Sequence, residues 1–291
     1  MTTISRTTKA LAGVVSLCLL ALFSGSARAQ TIVLYNGAAN TAPAAQGWTF
    51  FDGGVPPVVP PGTQTVGGGA TAFDTTVSNL TRGGYTLQGS NPTQAFTLNN
   101  SIGYTLRFDV QTVVEDHSSS GTADKNGDGI ADRAGFSLIA VGSNKKAVEL
   151  GFWSDQVWIQ SDTPLFTHTA ESANFNTTAA GQGMAGLIRF DLKVSNGGYQ
   201  LFADGSPTAL LTGALKDYTA FAPNPGDPNP YVIPNLLFLG DDTTSANGKF
   251  KLSYVALTVP QAVPEPGVAA LLACVAAASL PFLLRKRRRH V

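Results

Sequence analysis

Apolar and polar side chains alternate with a period of two along several stretches of this chain, which is the pattern of strands with one buried face. The apolar positions of the three clearest stretches are Ile102, Tyr104, Leu106, Phe108 and Val110; Ile188, Phe190, Leu192 and Val194; and Phe250, Leu252, Tyr254 and Ala256. No stretch between the apolar ends of the chain has a sustained period of 3.6 residues, so helices are not expected there. The pattern predicts antiparallel sheets with one face turned to a core.

Shorter apolar segments separated by turn residues extend this prediction to the whole central region. Candidate strands lie at 31–35, 47–51, 85–88, 136–141, 147–153, 157–160 and 236–239. The turn Ser195-Asn196-Gly197-Gly198 predicts a hairpin into Tyr199–Phe202. About a dozen short strands with frequent turns indicate an all-β fold, an antiparallel β-sandwich or jelly-roll. A propeller would need a repeat of about 40 to 50 residues, which the chain lacks.

Two sequence segments resemble known exported sandwiches. The series Ala147–Trp153, Val157–Gln160 and Tyr199–Leu201 is similar to the strand series of concanavalin-like (laminin-G-like) domains. Pro234–Ala246 resembles the closing signature of the choice-of-anchor Y family, whose members carry alternative C-terminal sorting signals. The resemblance covers about residues 104–258 and implies a concanavalin-like fold and an exported location, without an activity.

The amino-terminal segment has the features of a secretory signal. Arg6 and Lys9 precede the apolar run Leu11–Phe23, and Ala27 and Ala29 supply the small residues that a signal peptidase requires. The run is shorter than the roughly 18 residues of a membrane span. We therefore expect cleavage after Ala29, giving a signal peptide at 1–29 and a β-sandwich domain at 30–259; an uncleaved anchor is the alternative.

The carboxyl-terminal segment, 260–291, combines three signals in order. The motif Val263, Pro264, Glu265, Pro266 precedes an uncharged stretch, Gly267–Leu284, that is just long enough to cross a bilayer. The basic tail that follows is Arg285, Lys286, Arg287, Arg288 and Arg289. By the positive-inside rule this tail stays in the cytoplasm, so the stretch predicts a single transmembrane helix in the inner membrane.

This tripartite ending resembles the PEP-CTERM sorting signal. The resemblance implies processing by an exosortase in a Gram-negative bacterium that makes exopolysaccharide. The protein would then be anchored in the inner membrane before sorting and reach the cell surface or the extracellular matrix afterwards. A plain tail anchor is the alternative interpretation.

Charge and cysteine content narrow the function classes. The full chain has 19 basic and 19 acidic residues. Three of the basic residues lie in 1–29 and five in the basic tail, and one acidic residue is Glu265 of the motif. The exported part therefore has 11 basic and 18 acidic residues, a net charge of about −7. That sign disfavours nucleic-acid binding, which depends on neutralising phosphates. Both cysteines, Cys18 and Cys274, lie in the apolar ends. The exported domain therefore has no disulfide and no thiol nucleophile.

One loop has the spacing of a calcium site. The candidate ligands are the side chains of Asp124, Asn126, Asp128 and Asp132 and the carbonyl of Ile130, with Gly129 allowing the sharp turn. The EF-hand glutamate is replaced by Gly135, so further ligands must come from elsewhere, and Glu115, Asp116, Asp241 and Asp242 are candidates. The pattern predicts a structural Ca²⁺ site; an acidic surface turn is the alternative.

Catalytic signals are weak, and no catalytic residue is assigned. The exported part has two histidines, His117 and His168, and no nucleophile elbow or zinc motif. Glu149 and Asp155 are the nearest approach to a glycosidase carboxylate pair, but Glu149 is expected to be a solvent-facing strand acid. We therefore expect a protein that is not an enzyme.

Aromatic residues leave a binding function open. Trp153 and Trp158 could stack on sugars if exposed, although buried tryptophan is commoner in sandwiches. The sequence thus favours a non-catalytic, exopolysaccharide-associated surface protein. A carbohydrate-binding module is the first alternative, and a glycoside hydrolase on the same fold is the second.

Overall fold

The computed structural model describes residues 29–53, 59–117, 124–175, 186–223 and 229–260. Their strands are β1 Ala29–Asn36, β2 Thr49–Asp52, β3 Thr63–Gly67, β4 Ala70–Asp74, β5 Gly83–Gln88, β6 Tyr104–Asp116, β7 Ser137–Val141, β8 Ala147–Phe152, β9 Gln156–Asp162, β10 Leu165–Asn174, β11 Ile188–Ser195, β12 Gly198–Ala203, β13 Leu211–Ala214, β14 Leu236–Asp241 and β15 Asn247–Pro260. Short 3-10 helices lie at Gly37–Ala39, Pro43–Gln46 and Pro230–Val232.

The chain divides into two units. Thr31–Val259 is one compact unit, and Met1–Gln30 with Pro260–Val291 is the other. Of the second unit the structure describes only Ala29, Gln30 and Pro260. Within the described ranges, no helix has the length and apolar character that a membrane span requires.

The compact unit is an antiparallel β-sandwich of two sheets, as the alternation predicts. One sheet has the order β13-β12-β11-β6-β15-β4-β3, with β1 added on β15. The other has the order β10-β9-β8-β7-β14-β5-β2. The predicted hairpin joins β11 to β12, with Asn196 and Gly197 at φ of 52° and 74°, the left-handed conformation that such two-residue turns need.

An aromatic core fills the space between the sheets. Phe108 and Phe190 of the eight-stranded sheet stack at a centroid distance of 5.4 Å, and Phe152 of the other sheet meets Phe108 edge-on at 5.9 Å. Burial of rings of this size supplies much of the stability of a disulfide-free sandwich. The predicted buried faces of β6 and β11 point into this core, except that Ile102, before β6, is 67% exposed.

The predicted buried face of β15 is wrong beyond residue 252, because the strand contains a β-bulge. The register against β6 shifts between Leu252 and Tyr254, so one extra residue enters the strand. As a result Val255 and Leu257 enter the core beyond the bulge, while Tyr254 lies half-buried on the outer face against Arg107.

The seven-stranded sheet is buried on both faces in its centre. All residues of β7, β8 and β14 are buried. Their outward side chains form a second apolar cluster with Phe166, Tyr218 and Tyr231. Segments outside the sheet therefore cover this face, and the candidate site lies among them.

Candidate functional site in a cavity on the seven-stranded sheet

A cavity of about 480 Å³ lies on the outer face of the seven-stranded sheet. Its floor is a row of cross-strand neighbours: Phe238 of β14 pairs with Ile139 of β7 on one side and with Thr86 of β5 on the other. Phe51 of β2 extends the floor. Alternation along the strands sends Phe50, the neighbour of Phe51, to the opposite face, where it packs against Phe73 and Tyr85.

Three segments outside the floor strands wall the cavity. One wall is Lys125 and Arg133, from the connection between β6 and β7. The second comprises Phe221 to Pro223, Pro230 and Tyr231, from the connection between β13 and β14. The third wall is Asp242 to Ser245, between β14 and β15. Phe166, at the start of β10, lies between the first two walls. Arg82, just before β5, completes the lining.

Hydrogen bonds to the sheet hold the first wall in place. The carboxylate of Asp132 accepts the amide of His168 at 2.7 Å and that of Lys125 at 2.6 Å. The side chain of Gln160 donates to the carbonyl of Asp132 at 2.9 Å, and the indole of Trp153 donates to the carbonyl of Arg133 at 3.1 Å. These bonds fix Arg133 over strands β8 to β10.

The second wall is tied to the sheet at both of its ends. Lys216 and Ala147 exchange backbone hydrogen bonds at 2.9 and 3.0 Å, and the hydroxyl of Tyr218 donates to the carbonyl of Gln160 at 2.6 Å. The side chain of Asn229 donates to the carbonyl of Phe221 at 2.7 Å, which holds the two described ends of the wall together.

A buried charged network joins the walls. Arg133, with 7% of its side chain exposed, donates from Nη1 to Oε1 of Glu149 at 2.9 Å and from Nη2 to Oδ2 of Asp242 at 2.7 Å. The hydroxyl of Tyr231 donates to the other oxygen of Glu149. The guanidinium also lies 4.9 Å from the centroid of the Phe166 ring. Glu149 is thus buried with both oxygens bonded, and the expectation of a solvent-facing acid is wrong because the walls cover this face.

Burial governs the protonation of this network. Desolvation raises the pKa of Glu149 to about 8, against the opposing effect of Arg133 and with a contribution from the Asp242 carboxylate. Burial also raises the pKa of Tyr231 well above its usual value. Tyr231 therefore keeps its phenolic proton and can donate it to the ionised form of Glu149.

Two charged residues of the cavity lining, Asp242 and Lys125, are only partly paired by the described residues. Oδ1 of Asp242 is buried and has no hydrogen-bond partner among the described residues. Nζ of Lys125 lies 5.6 Å from the centroid of the Phe166 ring. The pKa of Lys125 is lowered by burial and then by the nearby positive charge of Arg133. The ammonium group of Lys125, an exposed residue, is thus available to a ligand.

In the predicted calcium loop, the carboxylates accept hydrogen bonds from the backbone amides of the loop itself. The Asp124 carboxylate accepts the amides of Gly127, Asp128 and Gly129 at 2.7–3.2 Å, and Asp128 accepts that of Ile130 at 2.8 Å. Within the described ranges no group of three or more His, Cys, Asp or Glu side chains could hold a metal ion.

Asp132 does not join the other predicted calcium ligands. It is fully buried with both oxygens bonded to the Lys125 and His168 amides, so it positions a cavity wall. Asp124, Asn126, Asp128 and the Ile130 carbonyl remain, fewer than the six to eight oxygens that calcium takes. The loop therefore does not fit a complete Ca²⁺ site.

The further calcium candidates have other roles. Asp242 pairs with Arg133, Glu115 bonds His117 at 2.7 Å, and Asp241 accepts a hydrogen bond from Thr75 at 2.6 Å. Each carboxylate has a protein partner that satisfies part of its charge or hydrogen-bonding capacity.

The two candidate sugar-stacking residues, Trp153 and Trp158, differ in solvent exposure. Trp158 is 0% exposed, and its indole covers Gly151, where a Cβ atom would approach it to 2.6 Å. The prediction of a sugar-stacking face is therefore wrong for Trp158. Trp153 is half-buried, stacked on His117 at a centroid distance of 4.1 Å, and its stacking role stays a prediction.

The signal and sorting predictions fall on parts of the chain outside the described residues. These are the signal segment up to residue 28, the motif Val263–Pro266, the span Gly267–Leu284 and the basic tail from Arg285 to Arg289. They stay predictions from the sequence.

Sequence reasoning missed the residues that build the cavity. Arg133 and Tyr231 are single residues in irregular segments, without a motif around them. Lys125 lies inside the predicted calcium loop, between the candidate ligands Asp124 and Asn126. The one available signal was the unbroken apolar character of segments such as Leu236–Leu239, because strands buried on both faces imply a covering layer.

Comparisons with known proteins give distant structural likeness. No protein-family model and no curated protein sequence matches the chain. Among solved structures, a protein of unknown function with a galectin-like fold from Bacillus subtilis has 9% identity, a TM-score of 0.45 and coverage of 80% of this chain and 100% of its own. The potassium-bound carbohydrate recognition domain of Emp46p has 10% identity, a TM-score of 0.40 and coverage of 77% and 95%. The exoplasmic/lumenal domain of VIP36, bound to Ca²⁺ and Man3GlcNAc, has 8% identity, a TM-score of 0.40 and coverage of 79% and 88%. Likeness at this level carries no argument about ligand or activity, which must come from the cavity itself.

Proposed function

We propose that this chain is an exported, non-catalytic surface protein whose concanavalin-like sandwich binds carbohydrate in the cavity on the seven-stranded sheet. The observation that carries the proposal is the lining, which combines aromatic rings with hydrogen-bonding groups in one concave site. The volume of about 480 Å³ lies within the range of about 300–1,000 Å³ that is common for ligand sites.

The lining matches the two surfaces of a sugar. A pyranose ring has apolar C–H faces and a rim of hydroxyls. Phe221, which is half-buried and meets the buried Phe166 edge-on at 5.1 Å, offers aromatic surface for a C–H face. The hydroxyls of Thr243 and Thr244, which line the same site, can bond the rim.

The geometry favours binding over hydrolysis. A glycoside hydrolase needs two carboxyl groups on either side of the scissile bond. Among the described residues that line the cavity, Asp242 is the only carboxylate. Glu149 lies behind Arg133 and Tyr231, with both oxygens bonded to them. A substrate cannot reach Glu149 without breaking that network.

The export part of the proposal rests on the sequence ends. The signal segment, the Val263–Pro266 motif, the apolar stretch and the basic tail occur in the order of a sorting signal. A signal peptidase and an exosortase would process the chain, and the exopolysaccharide around the cell would be the natural carbohydrate for the cavity. The choice-of-anchor Y resemblance agrees with this location.

The test is a glycan-array screen of the full-length chain in detergent micelles, followed by calorimetry with the best saccharide. Phe221→Ala removes a wall of the cavity and should weaken binding at least tenfold, a loss of about 1.4 kcal/mol. The matched control is Tyr254→Ala, a half-buried aromatic on the outer face of the other sheet. Equal weakening by both variants, or no binding to any saccharide including the host exopolysaccharide, would refute the proposal.

A further inference from the structure

The cavity differs in charge from the domain that contains it. The exported part carries about −7, from 11 basic and 18 acidic residues. The cavity is lined by Arg82, Lys125 and Arg133 and by one carboxylate, Asp242. Positive side chains are therefore concentrated at a concave site of a negative domain, which points to a ligand of negative charge.

Two of these cations share one aromatic ring. The guanidinium of Arg133 and the ammonium of Lys125 lie 4.9 and 5.6 Å from the centroid of Phe166. Arg133 has carboxylate partners, Glu149 and Asp242. In the described part of the chain, no carboxylate forms an ion pair with Lys125. The repulsion between the two cations is thus only partly offset by the protein.

The protonation of Glu149 increases this imbalance. Burial raises the pKa of Glu149 to about 8, so at neutral pH the carboxyl group is mainly protonated. Asp242 then remains the negative partner of Arg133, while the Asp132 carboxylate accepts the Lys125 amide at 2.6 Å. A bound anion would relieve the repulsion, whereas a neutral ligand would bury the charges without compensation.

We propose that the cavity selects an acidic saccharide, whose negative group is placed between Lys125 and Arg133. This inference rests on the proposed carbohydrate binding and names the class of sugar. The negative group can be the carboxylate of a uronic acid or a sulfate ester, since both accept hydrogen bonds from guanidinium and ammonium groups. The aromatic rings hold the sugar, and the two cations select its charge.

The experiment compares three oligosaccharides of equal length by calorimetry on the full-length chain in detergent micelles. One is an oligogalacturonate, one a sulfated galactan oligomer and one a neutral galactan oligomer. We expect at least one acidic oligomer to bind about tenfold more tightly than the neutral one at low salt. The difference should shrink as salt is added, because the attraction is screened. The uronate and sulfate arms identify which negative group the cavity prefers.

A charge-specific variant separates this inference from the proposed function. Lys125→Gln should weaken acidic binding by about fivefold to tenfold and weaken neutral binding by less than about twofold. Lys251→Gln, at an exposed lysine on the other sheet, is the matched control and should change neither. Because Lys125 makes no ion pair within the described chain and only a long cation–π contact with Phe166, the melting temperature should change little. Equal affinity for all three oligomers would overturn the inference and leave carbohydrate binding intact, and absence of binding to all three would overturn both.

Discussion

Glu149 accepts a hydrogen bond from Arg133 at 2.9 Å from beneath the cavity, and its second oxygen accepts the hydroxyl of Tyr231. Arg133 belongs to the first wall and Tyr231 to the second, while Glu149 belongs to strand β8 of the sheet. The buried side chain of Glu149 therefore connects the first and second walls of the cavity to the sheet. The shape of the cavity depends on this connection, so its energetics can be tested directly.

Two substitutions of Glu149 should show how much of its contribution to stability comes from its charge and how much from its hydrogen bonds. Glu149→Leu leaves Arg133 buried without one of its partners and is expected to cost about 3–5 kcal/mol of unfolding free energy. Glu149→Gln keeps an oxygen acceptor and should cost clearly less at neutral pH. Denaturant titration of both variants checks the order. An equal, small effect of both would contradict the connection between walls and floor.

The same residue should give stability a pH dependence. The pKa of Glu149 is raised from 4.5 to about 8 in the folded chain, so the folded chain binds the proton more tightly than the unfolded chain does. Unfolding free energy should therefore fall as pH rises from about 4.5 to about 8. Glu149→Gln, which cannot titrate, should lose this contribution, whereas Asp155→Asn, at an exposed carboxylate, should keep it. Parallel pH profiles for wild type and Glu149→Gln would show that the raised pKa is absent.

Asp132 is expected to be a structural residue. Its carboxylate accepts two backbone amides, those of Lys125 and His168, and Asp132→Ala would leave both without an acceptor. We expect a loss of about 1–3 kcal/mol in unfolding free energy. Asp128→Ala, in the exposed part of the same loop, should cost less than about 1 kcal/mol. Thermal melts in chelator decide the matter, and the reverse order of the two variants would contradict this role.

Calcium should stabilise the chain only slightly. Without Asp132 the loop offers four oxygen groups, and water must complete the coordination shell. A dissociation constant of about 1 mM would give about 0.4 kcal/mol of stabilisation at 1 mM calcium. Melts with calcium and with chelator should therefore differ by only about 1–2 °C. Submicromolar binding with a large rise in melting temperature would restore Asp132, or a ligand outside the loop, to the metal site.

The sorting motif makes a separate prediction about location. Replacing Pro264, Glu265 and Pro266 with alanine should leave the chain uncleaved at its carboxyl end and retained in the inner membrane. Pro260→Ala, just before the motif, is the control and should be sorted like wild type. Cell fractionation with immunoblotting measures the outcome. Normal release of the triple variant would show that the motif is not a sorting signal, and retention of the wild type as well would indicate a plain tail anchor.

The sequence predicted the fold better than the site because alternation reports local burial. The faces of β6 and β11 and the β11–β12 hairpin follow from period-two patterns and one Asn-Gly turn. The strand β10 was not predicted, since its sequence Leu165–Asn174 is polar and its register against β9 is irregular. The β15 bulge was also invisible, because one inserted residue changes the face without changing the composition.

The site depends on contacts between residues that are far apart in the chain. Arg133 meets Asp242 across 109 positions, and Tyr231 meets Glu149 across 82. No local spacing encodes such pairs. The calcium pattern is local and can therefore be recognised in the sequence, but in the folded chain Asp132 instead accepts the amides of Lys125 and His168. Trp158 shows the same effect, since its burial depends on contacts with Gly151, Trp153 and His168.

The most direct test of the central claim is to locate the bound saccharide. Hydrogen–deuterium exchange of the full-length chain, with and without saturating saccharide, compares backbone protection across the sandwich. Carbohydrate binding in the cavity predicts added protection at residues 221–223 and 242–245, with little change on the outer face of the eight-stranded sheet. Protection confined to that outer face or to Trp153 and its neighbours, with an unchanged cavity, would contradict the account.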